Sequence, residues 1–126
     1  WEGITYQQMH DFGYARHSIK DDAFTGHGGE SPEAVYDRVN ATLERARAHY
    51  PKQNLIFVSH GSAIAHGLAA ILQTRPKFGY QYLMHNGAIT EVVLAATPRL
   101  VTLNDHEHLP AALRAEHGRP DNAQQA

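Results

Sequence analysis

Cysteine is absent from the 126-residue chain, which excludes disulfide bridges, thiolate metal sites and cysteine nucleophiles at once. Also missing is any apolar run near the roughly 20 residues that a bilayer crossing needs. No segment with a charged start and an apolar middle opens the chain as an export signal would. Nor is there an excess of charge: 11 Lys and Arg stand against 13 Asp and Glu, for a formal net charge of -2. That balance supplies no basic field to hold a nucleic acid backbone or an anionic membrane. Neither is expected as a partner, and any phosphate chemistry must be local. The absence of cysteine fits a reducing compartment, so the expected location is cytoplasmic. An initiating methionine is lacking too, since residue 1 is Trp.

Apolar residues make up 42% of the chain, enough for a packed interior, and the length is that of one domain with one core. The opening W-E-G-I-T-Y-Q-Q-M-H-D-F-G predicts a turn and then a short helix, capped by the Thr5 hydroxyl and stopped at Gly13. Residues 14 to 30 show no period and end in Gly26-His27-Gly28-Gly29, which predicts a loop. Ser31-Pro32-Glu33 is a strong helix start: a hydroxyl cap, a proline whose missing N–H costs nothing there, and a carboxylate facing the dipole. Val35, Val39, Leu43 and Ala46 continue at helical spacing, and Pro51 closes the element.

Leu55-Ile56-Phe57-Val58 is a continuous apolar run too short for a helix, which predicts a strand buried on both faces of a parallel sheet. Ser62 to Leu72 follows as a helix with Ile64, Leu68, Ile71 and Leu72 on one stripe, and Arg75-Pro76 ends it. Phe78 to Leu83 is aromatic and has no clear assignment. The Asn86-Gly87 turn leads into two strands, Ala88 to Leu94 and Arg99 to Leu103, whose short link favours an antiparallel hairpin. After Pro110 the composition turns to Ala, Arg, Glu, Gln and Asn, so residues 110 to 126 are expected to form a disordered tail behind a domain of residues 1 to 109.

Val58-Ser59-His60-Gly61-Ser62 sets a histidine where a buried strand is expected to stop and a helix to begin. Ligands of α/β sheets sit at such carboxyl ends, and a helix amino terminus offers unpaired N–H groups to an anion. An imidazole beside a bound phosphate is readily protonated and then donates a charged hydrogen bond. His60, Gly61 and Ser62 are therefore the candidate phosphate-binding residues. On position alone, a His60 that simply caps the helix is an equal alternative.

The sequence V-S-H-G-S-A-I at residues 58 to 64 resembles the second-histidine motif of the histidine phosphatase (phosphoglycerate mutase-like) superfamily. Four more matches fall in the family's order: Trp1-Glu2-Gly3 resembles its W-E-G turn, Gly29-Glu30-Ser31 its G-E-S, Asn86-Gly87-Ala88-Ile89 its N-x-x-I strand entry, and Asn104-Asp105 with His108-Leu109 its N-D-x-x-H-L ending. The resemblance implies a three-layer α/β sandwich with a mainly parallel sheet, of which this chain holds the later part. It implies phosphoryl transfer from a small phosphorylated metabolite through a phosphohistidine, without metal or other cofactor. His60 would be the second histidine, holding the phosphate, and Gly28, Gly29 and Glu30 would border the substrate.

The family's R-H-G nucleophile motif occurs nowhere in these residues; Arg16-His17 is followed by Ser18 and lies after W-E-G rather than before it. The second phosphate-binding arginine and the acid-base glutamate would also precede W-E-G. The expectation is therefore a phosphatase or a mutase when complete, inactive as these 126 residues alone. The alternative is a binding or regulatory module that keeps the fold. Ten histidines raise a metal reading, but none form an H-E-x-x-H pair. His106-Glu107-His108 is the nearest candidate and is set aside, so no metal site is expected. His66 is expected at the helix surface or pocket edge. Gly26-His27-Gly28-Gly29 resembles an esterase oxyanion loop but lacks the G-x-S-x-G nucleophile that would go with it. Tyr6, Tyr14, Phe24, Tyr80 and Tyr82 are assigned mainly to core or lid packing.

Overall fold

Thr5 shows how local chemistry sets the first element. In the computed structural model, which describes residues 3–13, 21–82 and 84–116, its hydroxyl accepts the Gln8 N–H at 3.2 Å while the Gln8 side chain accepts the Thr5 N–H at 2.7 Å. This reciprocal cap starts helix α1, Tyr6–Asp11. Gly13 follows at φ +69, a conformation that glycine adopts without penalty. Helix α2, Pro32–His49, begins as the sequence requires, with Ser31 Oγ accepting the Ala34 N–H at 3.1 Å. Helix α3 spans Gly61–Ile71, a 3-10 helix spans Pro76–Tyr82, and strands β1, Ile89–Val93, and β2, Arg99–Asp105, precede helix α4, Ala111–Glu116.

The chain divides into two compact units, Trp1–Leu83 and Met84–Ala126, where one core was expected. In the first, α3 is the centre. Ala65, Leu68, Ala69 and Ala70 are buried, and the small side chains let α2 approach closely. A Cβ on Gly67 would lie 2.8 Å from Val39 Cγ1, so glycine is the residue that fits the α2–α3 contact. Asp22 ties the loop before α2 to the 3-10 helix. Its carboxylate accepts the Lys77 N–H at 2.6 Å and pairs with Arg75 at 2.9 Å, and its carbonyl accepts the Glu33 N–H at 2.9 Å.

The second unit is built on the β1–β2 hairpin, antiparallel as expected, with Val92 opposite Leu100 and Val93 opposite Arg99. Asn104, in the left-handed region at φ +58, closes its far end. Its side-chain carbonyl accepts the His85 N–H at 2.8 Å, and its own N–H donates to Thr90 Oγ1 at 3.0 Å. Asparagine is among the few residues that tolerate this conformation.

Three expectations change. Residues 55–58 lead into α3 without forming a strand: Ile56 and Val58 are 91% and 94% exposed, and no ladder hydrogen bonds join them to another strand among the described residues. Apolarity records what a strand is made to be covered by, but a strand exists only where a neighbour pairs with it. The only sheet among the described residues is the antiparallel hairpin, so the mainly parallel sheet is not seen there. The segment from Ala111 to Glu116 is helical rather than part of a disordered tail. Pro110 leads into it and the Glu107 carboxylate holds Arg114 at 2.7 Å; residues 117 to 126 lie outside the described residues. The aromatic stretch left unassigned is the 3-10 helix, anchored from a distance by Asp22.

Candidate functional site

His60 is the N-cap of α3, in extended backbone at φ -102 and ψ 154, and its carbonyl accepts the Ile64 N–H at 2.9 Å. Its imidazole makes no capping hydrogen bond. That outcome separates the two readings left level by sequence: the ring is not spent on closing the helix end. The first N–H groups of a helix have no acceptor within it, so Gly61, Ser62 and Ala63 present N–H groups beside an exposed imidazole. Among the described residues no side-chain hydrogen bond caps this helix start. Dipole and donors together favour an anion at this end, and no acidic residue stands in the first turn of α3. A Cβ on Gly61 would meet nothing within 4 Å, so the approach to the backbone is open.

Glu30, expected at the substrate border, is committed elsewhere. Arg38 donates to both of its carboxylate oxygens at 2.7 Å from Nε and 2.7 Å from Nη2. The paired guanidinium holds the Glu30 carboxyl below its ordinary range. This clamp spans the start of α2 and fixes the end of the 21–30 loop. Gly28 turns the loop at φ +77, a position that a side chain would strain. Gly29 donates weakly to His27 Nδ1 at 3.4 Å, and Phe24 stacks over His27 at 5.5 Å.

His66 is not a surface or pocket-edge residue. It is 2% exposed, its Nδ1 lies 3.0 Å from the Pro76 carbonyl, and its ring meets Tyr80 edge-on at 5.7 Å. Because a carbonyl only accepts, Nδ1 carries the proton. Tyr80, half-buried, packs against His66, whereas Trp1, Glu2, Tyr14 and Arg16-His17-Ser18 lie outside the described residues. Among the described residues no group of three or more His, Cys, Asp or Glu can hold a metal, and no helix is long and apolar enough to cross a membrane.

Burial holds the His66 imidazole below its ordinary value, against the opposing pull of the Pro76 hydrogen bond and of Asp22. The unfolded chain therefore binds this proton more readily, and stability rises with pH where that difference operates. The contribution is complete above the unfolded value near 6.5 and declines as pH falls from there toward the lower folded value. Thermal unfolding followed by circular dichroism should show a melting temperature that drops between pH 7.5 and 5.5. His66→Asn, whose amide can still donate to Pro76, should flatten that slope. Equal slopes in the two proteins would remove His66 as the cause.

Asp22 sits in no motif, and Asn104 stands in the N-D-x-x-H-L match without any structural role assigned to it there. The signal for Asn104 was its residue type; for Asp22 there was none, because the partners of its carboxylate, Arg75 and Lys77, are more than 50 residues away.

The geometry of His60 at a helix start falls within residues 1–106, which match the family model of the histidine phosphatase superfamily, branch 1. The chain belongs to this superfamily. Among solved structures, a mutant phosphoserine phosphatase from Entamoeba histolytica, crystallised in complex with phosphoserine, matches with a TM-score of 0.75 at 20% sequence identity. At that identity the likeness speaks for the histidine phosphatase fold. The match covers 87% of this chain and 57% of that one, so the chain spans somewhat over half the length of its structural neighbour. No curated protein sequence gives a significant match.

Proposed function

We propose that these residues are the phosphate-holding part of a phosphomonoesterase that works through a phosphohistidine, with His60 as the second histidine. The observation that carries this reading is the unspent imidazole of His60 beside the open amino end of α3. In the reaction, an imidazole nitrogen from another part of the complete protein attacks phosphorus and the ester oxygen leaves with a proton. Water then cleaves the P–N bond and releases phosphate. His60 and the Gly61 and Ser62 N–H groups hold the phosphoryl oxygens, whose charge grows as the transition state forms. The substrate is a small phosphorylated metabolite and the location cytoplasmic; no cofactor is required, and transfer to an acceptor alcohol, as in a mutase, is the variant of the same chemistry.

The family's R-H-G motif is not among the 126 residues, and the proposal holds them inactive on their own. A binding or regulatory module is the second reading, favoured by that same absence. Inorganic phosphate titrated into the chain, followed by amide NMR, should shift Gly61, Ser62 and Ala63 and the His60 ring, with no hydrolysis of a generic aryl phosphate. Shifts confined to other residues would sink the site. Turnover by the chain, lost in His60→Ala, would sink the claim of inactivity while sparing the site.

A further inference from the structure

We propose that the contact between α3 and the 3-10 helix is an acid-released latch: one proton taken up by His66 frees residues 76–82 and, through Asp22, the loop of residues 21–30. The device lies in the first unit and does not depend on the chemistry proposed for His60.

His66 is built into the contact as a neutral ring. It is almost wholly buried, its Nδ1–H is donated to the Pro76 carbonyl at 3.0 Å, and Tyr80 meets its edge. At Gly79 the ring fills the place that a Cβ would take. The 3-10 helix thus closes on an uncharged imidazole at three of its residues. A second proton, on Nε2, would place a full charge in that space, on the helix whose other buried side chains are Ala65, Leu68, Ala69 and Ala70. A charge so enclosed is costly, and relief comes through the smallest opening that brings water to the ring. On its other side α3 stays covered by α2, where Val39 and Leu43 lie against Gly67. The 3-10 helix is the weaker partner, since it is short and of a type with poorer hydrogen-bond geometry.

The charged groups around the ring do not remove this cost. No other ionisable side chain stands on α3, and the charged side chains of α2, from Glu33 to His49, are exposed. Beside the 3-10 helix, Arg75 pairs with Asp22, and the Lys77 ammonium stands over the Phe78 ring at 5.6 Å. Tyr36, Tyr80 and Tyr82 are phenols, uncharged in acid. Asp22 and the Pro76 hydrogen bond favour the charged ring, but burial outweighs both.

Asp22 also couples the two segments. Its carboxylate accepts the Lys77 N–H at 2.6 Å and pairs with the Arg75 guanidinium at 2.9 Å, so residues 76–82 cannot lift away without loosening the loop. The open form binds the proton more readily than the closed one. Opening is therefore favoured as pH falls below the ordinary histidine value near 6.5, by up to about tenfold in open population per pH unit. Above that value the latch stays shut.

Hydrogen exchange of the 15N-labelled wild-type chain between pH 7.5 and 5.5, corrected for the intrinsic pH dependence of exchange, tests the latch. Protection of Lys77 and Phe78, and of Phe24 and Gly28 in the loop, should fall together by up to about tenfold per pH unit, while Val39, Leu43 and Gly67 keep theirs. In His66→Asn the pH dependence should vanish. Asp22→Ala should leave the loop poorly protected already at pH 7.5, with Phe78 still responding to pH. A readout that needs no variant to fold is the His66 Cε1–H signal of the wild type, whose titration midpoint should coincide with that of Phe78. Equal loss of protection across α2 and α3, unchanged protection at Lys77 and Phe78, or a pH dependence that persists in His66→Asn would overturn the proposal.

Discussion

Under the proposed function, replacing His60 by alanine in the complete protein is expected to lower kcat/KM by roughly a hundredfold or more, the usual cost of removing one donor that faces developing charge. Stability should barely move. The imidazole is exposed and makes no capping hydrogen bond, so no helix cap is lost with it, and surface replacements of this kind stay within about 0.5 kcal/mol. The combination is diagnostic: a residue that shapes the helix start would change the melting temperature, and one that serves the phosphate would change turnover. His60→Gln, which keeps a neutral donor but cannot carry the charge, should recover part of the loss. Steady-state kinetics on a phosphomonoester beside a thermal melt decides it. Unchanged kcat/KM in His60→Ala, or a loss matched by unfolding, would end the proposed role.

The largest structural effect is expected at Gly79→Ala. Gly79 is buried in the 3-10 helix, and a Cβ there would collide with His66 Nδ1 and come within 2.8 Å of its Cε1. The ring cannot step aside without cost, because the Pro76 carbonyl holds one edge and Tyr80 packs against it. Moving it strains the contact between α3 and the 3-10 helix and strands a polar pair in the interior. Overpacking costs about 1–3 kcal/mol and an unsatisfied buried group a similar amount, so the sum is roughly 2–5 kcal/mol. In a unit this small that lowers the melting temperature on the order of 10 °C or more. The double variant His66→Ala with Gly79→Ala should lose less than the two single losses added together, since the first removes the atoms that the second strikes. A Gly79→Ala protein that melts with the wild type, or a strictly additive double variant, would refute this account of the contact.

Where the chemistry is local, the sequence was a reliable guide. Thr5 with Gln8, Ser31 with Pro32, and Asn86-Gly87 before a hairpin each satisfy backbone groups within a few residues, and each formed the element expected of it. The helix start at His60-Gly61-Ser62 was legible for the same reason, since an apolar run, a histidine and a helix start are contiguous. Elements that depend on distant partners were not legible. The stretch 76–82 has no helical period of its own; it is organised by Asp22, more than 50 residues earlier. His66 read as a helix-surface residue because periodicity places a residue on a face but does not say what covers that face.

Leu55-Ile56-Phe57-Val58 marks the limit most clearly. Four apolar residues express a preference for burial, but pairing requires a second strand, which no run of residues can specify from within itself. Sequence by itself determined the caps, the helix starts, the hairpin and the place of His60 at the amino end of α3, because these follow from hydrogen bonds and dihedral preferences a few residues long. Only the tertiary structure decided that His66 is core, that Glu30 belongs to Arg38, and that Asn104 ties His85 to the far end of the hairpin. Those outcomes rest on contacts between side chains far apart along the chain, or on backbone turns that only the fold makes worthwhile.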